Sequence, residues 1–366
     1  MTIGDFASPG AINPEWVTAV QARFRTVNAG GGLLDVFDQR HKVVLSVCDT
    51  EVDPDQTARC AQRAVDRRVA AVVGMAAAYS DRAWPILEAA GIPVIGPRVN
   101  GIGDATSPVS FPLAAGLPGQ LAAMPEVLAQ HGATRIAVIL SDFGTGTDDA
   151  LTFIQRGLSL TPASAGPVVR VPQGTTNLAP AVAAATRGGV DGIVGLVAGG
   201  PPGSVVQQLR SSSFRGSYAT LASFGNAGLA SDPNPSIDGT FVVSEFALPS
   251  SGGPGFRQFH RDMATESAPR AANDGTINFW LSAWIFEGVA RSLSSIDAGS
   301  VLRSLEQLNG YSTGGITPPL TTTRTQDPTL PRLFNSAVAL NTTQSGRLVS
   351  TRSQFFDVVV GRYVAP

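Results

Sequence analysis

Short apolar runs recur along the chain, each bounded by polar or glycine-rich turns and followed by a longer stretch with apolar residues at helical spacing. Strands are expected at Thr2–Phe6, Val43–Val47, Ala71–Val73, Pro93–Ile95, Arg135–Leu140, Val168–Val171, Gly192–Leu196, Ser217–Ala222 and Thr240–Ser244. Helical patterns fill most of the gaps. The first helix is introduced by Asn13 as N-cap and Pro14 at the first helical position, a side-chain acceptor followed by a fixed φ. Repeated βα units predict an α/β fold of mostly parallel sheets with helices on both faces. In such sheets ligands sit where loops leave the carboxyl ends of the strands.

Those loops read Ala7-Ser8-Pro9-Gly10, Gly74-Met75-Ala76-Ala77-Ala78-Tyr79-Ser80, Gly96-Pro97-Arg98-Val99-Asn100, Ser141-Asp142-Phe143-Gly144 and Ala198-Gly199-Gly200-Pro201. They are rich in Gly and Ser and poor in catalytic groups. A Walker loop needs Gly-Lys-Ser/Thr, and Lys42, the single lysine, is followed by Val43. His41, His131 and His260 share no metal-ligand spacing, and no Gly-x-Ser-x-Gly elbow occurs. The segment Gly144-Thr145-Gly146-Thr147-Asp148-Asp149 opens a helix after a strand, as a dinucleotide loop would, but Asp149 stands where the third glycine belongs. A carboxylate there suits the helix dipole and repels a pyrophosphate, so the segment reads as a strand-to-helix turn with a capping role. The expectation is a protein without metal, cofactor or catalysis.

A chain of 366 residues exceeds the usual single core, which predicts two lobes. Apolar residues at 43%, charged residues at 15% and a net charge of -2 leave no basic excess for a phosphate backbone, so nucleic acid is not an expected partner. No apolar run approaches the roughly 18 residues that span a bilayer; the most apolar stretch, Val69 to Ala78, reads as a buried strand with its exit loop. The start, Met1-Thr2-Ile3-Gly4-Asp5, reads as the first strand rather than an export signal, leaving a cytosolic protein or one whose signal is trimmed. Cys48 ends a strand pattern and Cys60 falls in the following helical stretch, Asp55 to Arg67. Spacing alone leaves a disulfide and two buried thiols both open.

Read in order, several segments resemble the leucine/isoleucine/valine-binding protein family of ABC importers. They begin with Val27-Asn28-Ala29-Gly30-Gly31-Gly32 after the first helix and Cys48-Asp49-Thr50-Glu51-Val52-Asp53-Pro54, similar to that family's acidic turn. Val72-Val73-Gly74 and Glu88-Ala89-Ala90-Gly91-Ile92-Pro93-Val94-Ile95 match further landmarks. Asp142-Phe143-Gly144-Thr145-Gly146 resembles Asp-x-Tyr-Gly-x-Gly, and Phe279-Trp280-Leu281-Ser282-Ala283-Trp284 holds the place of an aromatic-rich helix. Gly314-Gly315-Ile316-Thr317-Pro318-Pro319 and Pro331-Arg332-Leu333-Phe334-Asn335 look like endings of actinobacterial members. No single motif is specific; their order and spacing are.

The resemblance implies a type I periplasmic-binding fold: two Rossmann-like lobes joined by three crossovers and closing on a ligand between them. Lobe 1 is expected at 1–113 and 249–322, lobe 2 at 114–248 and 323–366, with crossovers near Phe111–Leu117, Ser244–Pro249 and Leu320–Arg332. It implies an extracytoplasmic monomer, in the periplasm or lipid-anchored at the cell surface, with a leader that this stretch does not contain, delivering a small molecule to a membrane ABC permease. In that compartment Cys48 and Cys60 are expected to be bridged. Expected ligand contacts are Ser8, Tyr79, Ser80, Arg98 and Asn100 on the first lobe and Phe143, Gly199 and Phe224 on the second.

Two departures from the family bear on the ligand. The serine-rich loop that grips an α-carboxylate is matched by Ala76-Ala77-Ala78, and the acidic residue that meets the α-ammonium by Leu221-Ala222-Ser223-Phe224. A buried ammonium without a partner costs several kcal/mol. Arg98 can instead pair with an acid, and Tyr79, Phe143 and Phe224 can enclose an apolar body. A small organic acid, aromatic or otherwise, is therefore expected, with a branched-chain amino acid as runner-up. A ligand sensor of the same fold is a further alternative; a nucleotide-cofactor enzyme ranks last.

Overall fold

The computed structural model describes residues 1–6, 14–142, 144–198, 204–222, 238–264 and 272–366. The chain forms two compact units. Unit 1 comprises Met1–Gly116 and Pro249–Ser336, with Pro366, and unit 2 comprises Leu117–Leu248 and Ala337–Ala365. The third passage of the chain between units, at 336/337, lies beyond the expected 322/323. The intervening residues are fastened to unit 1. Arg332 donates its backbone N–H to Ala105 O at 2.9 Å and its Nε–H to Ser110 O at 2.9 Å. Its guanidinium lies 4.4 Å from the Phe111 ring centroid and 4.7 Å from that of Phe334, and Asn335 Nδ2 donates to Leu113 O at 3.0 Å.

The strands of unit 1 are β1 (Thr2–Gly4), β2 (Leu33–Leu34), β3 (Arg40–His41), β4 (Val47–Asp49), β5 (Val72–Ala76), β6 (Val94–Pro97) and β7 (Ser110–Phe111). Its sheet runs β4-β1-β5-β6-β7 with every pairing parallel, and β2 and β3 form a separate hairpin. The apolar run Val43–Val47 is not the strand expected there, because strand pairing starts only at Val47. Asn28 explains the shift: its side chain donates to Val43 O at 2.8 Å and accepts from Val43 N at 2.9 Å, taking the groups a neighbouring strand would use. Cys48 is therefore mid-strand.

The Pro54–Asp66 helix follows, with Asp53 as N-cap accepting from Gln56 N at 2.6 Å. A disulfide joins Cys48 in β4 to Cys60 in this helix, and both residues are buried. One face of the sheet packs Ile3, Val72, Met75 and Val94 with Leu87 and Trp84.

The aromatic-rich segment forms the Asp274–Ala290 helix, apolar on all sides and buried along almost its whole length. Two glycines admit it. A Cβ at Gly74 (φ 72) would lie 2.5 Å from the Phe279 ring, and one at Gly96 (φ 66) would lie 2.0 Å from Ser282 Oγ. Both also hold a φ that other residues rarely adopt. Asn278 uses this proximity, donating Nδ2 to Gly96 O at 2.8 Å. At the helix's far end Arg23, from the Pro14–Ala29 helix, is buried against Glu287 (Nε to Oε2, 2.8 Å) and Asp262 (Nη1 to Oδ2, 3.0 Å). Trp280 Nε1 donates to the same Asp262 oxygen at 2.8 Å.

Unit 2 contains β8 (Arg135–Ser141), β9 (Ser164–Val171), β10 (Gly192–Leu196), β11 (Ser217–Leu221), β12 (Phe241–Ser244), β13 (Ala337–Gln344), β14 (Arg347–Ser350), β15 (Phe355–Asp357) and β16 (Arg362–Val364). The main order is β16-β15-β13-β12-β11-β10-β8-β9, with β14 also pairing β13. Pairings from β9 through β12 are parallel; those of β13 to β16 are antiparallel. Ile139, Ile193 and Val242 pack with Val182, Leu209 and Phe214 on one face. No described helix is long and apolar enough to cross a membrane.

Candidate functional site

All strands of the unit 1 sheet are parallel, so their exit loops leave along one edge. Asp5, just after β1, secures part of it. Its Oδ1 accepts from Val52 N at 2.9 Å and from the Thr50 hydroxyl, and its Oδ2 accepts from Ala78 N at 2.8 Å. One carboxylate thus joins the exits of β1, β4 and β5. Asp49 Oδ1 accepts from Phe6 N and Glu51 N, each at 3.0 Å. These acidic residues hold backbone in place.

Arg98 leaves the end of β6, its N–H bonded to Met75 O at 2.8 Å. Its guanidinium carbon lies 5.5 Å from the centroid of Trp16, within cation–π range. Trp16 in turn lies 5.2 Å from Phe279, and Phe6 meets Phe279 edge-on at 6.0 Å. A guanidinium above an aromatic bed thus stands at this edge. Tyr79, on the neighbouring exit loop, is 42% exposed. Trp16 carried no motif; its position beside Arg98 arises only when the first helix packs on the aromatic one.

Ser80 and Asn100 are brought together by a residue the sequence did not single out. Asp104, 1% exposed, accepts from Trp84 Nε1 at 3.1 Å through Oδ1 and from Asn100 N (3.0 Å) and Gly101 N (2.9 Å) through Oδ2. The Ser80 hydroxyl is a further polar neighbour of the carboxylate. Burial raises its carboxyl pKa above the usual carboxylate range, against the opposing pull of these donors. The side chain of Asn100 is exposed.

In unit 2 the corresponding exits are held by a hydroxyl and a carboxylate. Ser141 Oγ accepts from Ala198 N at 2.9 Å, joining β8 to β10, while Gln173 Nε2 donates to Asp142 O at 3.0 Å, joining β8 to β9. Asp142 Oδ1 accepts from Gly144 N at 3.0 Å, and Gly144, at φ 66, precedes the Thr145–Ser159 helix as its N-cap. The strand-to-helix turn is thus held by Asp142, and Asp148 pairs with Arg170 at 2.5 Å. Ser8, Phe143, Gly199, Phe224 and the proposed cap Asn13 lie outside the described residues.

Besides the packing of the His131 ring on Phe241, with centroids 4.2 Å apart, the described histidine contacts are local ones. His41 Nε2 meets Asp35 Oδ2 at 2.9 Å, His131 Nδ1 meets Val127 O at 2.7 Å, and the His260 ring lies 5.6 Å from that of Phe259. Among the described residues no group of three His, Cys, Asp or Glu is placed to hold a metal ion.

Residues 2–332 match the periplasmic binding protein family. The chain belongs to that family. Solved structures share its fold throughout. A substrate-binding periplasmic protein from Ralstonia solanacearum is 20% identical over 95% of this chain and 98% of that one, with a TM-score of 0.73. A fatty acid ABC transporter substrate-binding protein from Thermomonospora curvata is 13% identical over 99% and 94%, with a TM-score of 0.75. The branched-chain amino acid transporter substrate-binding protein LivJ from Streptococcus pneumoniae, in complex with isoleucine, is 14% identical over 96% and 98%, with a TM-score of 0.67. No curated protein matches the sequence significantly.

Proposed function

We propose that this protein is the solute-capturing component of an ABC-type importer, working outside the cytoplasm, and that its solute is a small organic acid with an aromatic or aliphatic body. Arg98 carries this reading. A guanidinium bedded on Trp16 at the exit of β6 places a fixed positive charge beside the loops that leave the sheet, and Trp16 limits the side-chain freedom lost when an acid binds there. The fatty-acid-binding neighbour, whose solute is itself a carboxylate with an apolar body, supports the same class. Tyr79, Arg98 and Asn100 would contact the ligand from unit 1, and Ser8, Phe143, Gly199 and Phe224 complete the set. Ser80, half-buried beside Asp104, would add a hydroxyl. The protein acts as a monomer, changes nothing in the solute and passes it to a membrane permease. The disulfide supports an oxidising compartment, the periplasm or the outer face of a lipid-anchored protein.

A branched-chain amino acid is the second reading, favoured by the isoleucine-bound neighbour. It requires a partner for the α-ammonium that Leu221-Ala222-Ser223-Phe224 does not offer. Thermal unfolding with benzoate, phenylacetate, octanoate, leucine or isoleucine decides between them, because a ligand at a hundredfold excess over Kd adds about 2.7 kcal/mol to stability. An acid should raise Tm by several degrees, and Arg98→Gln should abolish that rise. Stabilisation by leucine or isoleucine alone would overturn the acid reading.

A further inference from the structure

The Ile102–Thr106 helix has only five residues, yet three separate segments are fastened to it. The segment that follows the exit of β5 reaches it through Trp84 Nε1, and the exit loop of β6 through Asn100 N and Gly101 N, all on the Asp104 carboxylate. The strap leading into unit 2 reaches it through Arg332 N, bonded to Ala105 O at 2.9 Å. Ser110 Oγ closes the arrangement with a 2.5 Å bond to Asp104 O.

We infer that Asp104 is the positioning residue of the unit 1 ligand surface: its buried carboxylate holds the exits of β5 and β6 as one body and, through the helix that carries it, ties them to the strap around Arg332. This rests on the reading of those loops as the ligand-contacting edge. An ionised carboxylate is acceptor-only and has about four lone-pair sites, which matches the donors assembled here. No other side chain of similar size can accept them all, since an asparagine offers one acceptor oxygen and turns an N–H₂ toward the remaining donors. Loops fixed before binding lose less entropy when they engage a ligand, which gives a buried charge at this position a use beyond stability.

Hydrogen–deuterium exchange on the full chain tests the coupling without requiring a ligand. Asp104→Asn should raise exchange of the 77–83, 98–103 and 330–335 segments together, by about tenfold or more, while β1 and β5 keep their protection. Ser80→Ala, which keeps the Trp84, Asn100 and Gly101 donors, should leave the three segments coupled. Trp84→Phe, which removes one donor and keeps the carboxylate, should loosen 77–83 and 98–103 together by a smaller factor, and serves if Asp104→Asn does not fold. Trp84 also supplies a spectroscopic signature: its indole ¹⁵N–¹H resonance, assigned with Trp84→Phe, should shift in Asp104→Asn. A response confined to one segment, or one spread evenly over every strand of unit 1, would overturn the inference. Coupled exchange in a protein that binds none of the acids would leave the positioning role standing and remove the solute reading; acid binding with uncoupled exchange would do the reverse.

Discussion

The two units reach similar architectures by different means. Unit 1 places charge and a covalent link inside: Arg23, 8% exposed, lies among Asp262 at 1% and Glu287 at 5%, Asp104 is buried, and Cys48 is bridged to Cys60. Unit 2 packs apolar residues around Ile139 and Ile193, extends its sheet with antiparallel strands, and buries two carboxylates, Glu245 at 3% and Asp357 at 8% exposed. One of its ion pairs, Arg170 with Asp148, is exposed. The buried Arg23 cluster and the disulfide of unit 1 therefore determine which conditions act on it. Charge substitution, reduction and pH should act chiefly on unit 1.

Removing the central cation is the most severe way to test this contrast. Arg23→Met leaves buried Asp262 without its counter-charge and Glu287 with Arg291 alone, and breaking such a pair typically costs 3–5 kcal/mol, so a loss of about 4 kcal/mol is expected. Urea titration read by hydrogen exchange should show β1 and β5 losing protection while β8 and β10 keep theirs. Equal loss in both units would refute the contrast.

Reduction should have a somewhat smaller effect. The bridge spans 12 residues, which in the chain-entropy account corresponds to about 3 kcal/mol. Cys48→Ser with Cys60→Ser, compared with wild type under non-reducing conditions, should lower unit 1 stability by that order. Two freely alkylated thiols in protein recovered from its native compartment would show that the bridge does not form there.

The smallest effect concerns Asp104. Burial raises its folded-state pKa, so its contribution is fully present below the unfolded carboxylate pKa and is lost as pH rises through the folded value. The stability of wild type relative to Asp104→Asn should therefore increase as pH is lowered from neutral toward about 4. A difference that stays constant with pH, measured by chemical denaturation, would mean that the carboxyl titrates as an ordinary surface group.

What the sequence revealed follows from the range of the interactions involved. Gly192–Leu196, expected as a strand from its apolar run, is β10 over the same residues. The Val43–Val47 expectation failed because Asn28, fifteen residues upstream, occupies that backbone, and periodicity does not register a side chain acting as a strand partner. The strands after Ala337 were not anticipated, although Ala337–Gln344 forms four register pairs with β12. In the candidate site, Arg98 was readable from its place after Gly96-Pro97 at a strand end. Asp104 and Trp16 were not, since an aspartate in Ile-Gly-Asp-Ala-Thr and a tryptophan in a first helix become significant only through residues far away in the chain.

The packing of Asn278 on Gly96 bridges 182 residues, and β12 waits for β13, so Val242 meets Asn341 only near the end of the chain. A ribosome delivering residues in order therefore offers neither sheet its closing element until translation is well advanced. The first half of unit 1 must remain without its aromatic helix while most of unit 2 is being synthesised. Contacts so distant in sequence also form slowly once available. Synthesis order and topology together delay the completion of both cores, a condition that would suit export ahead of folding under the function proposed above.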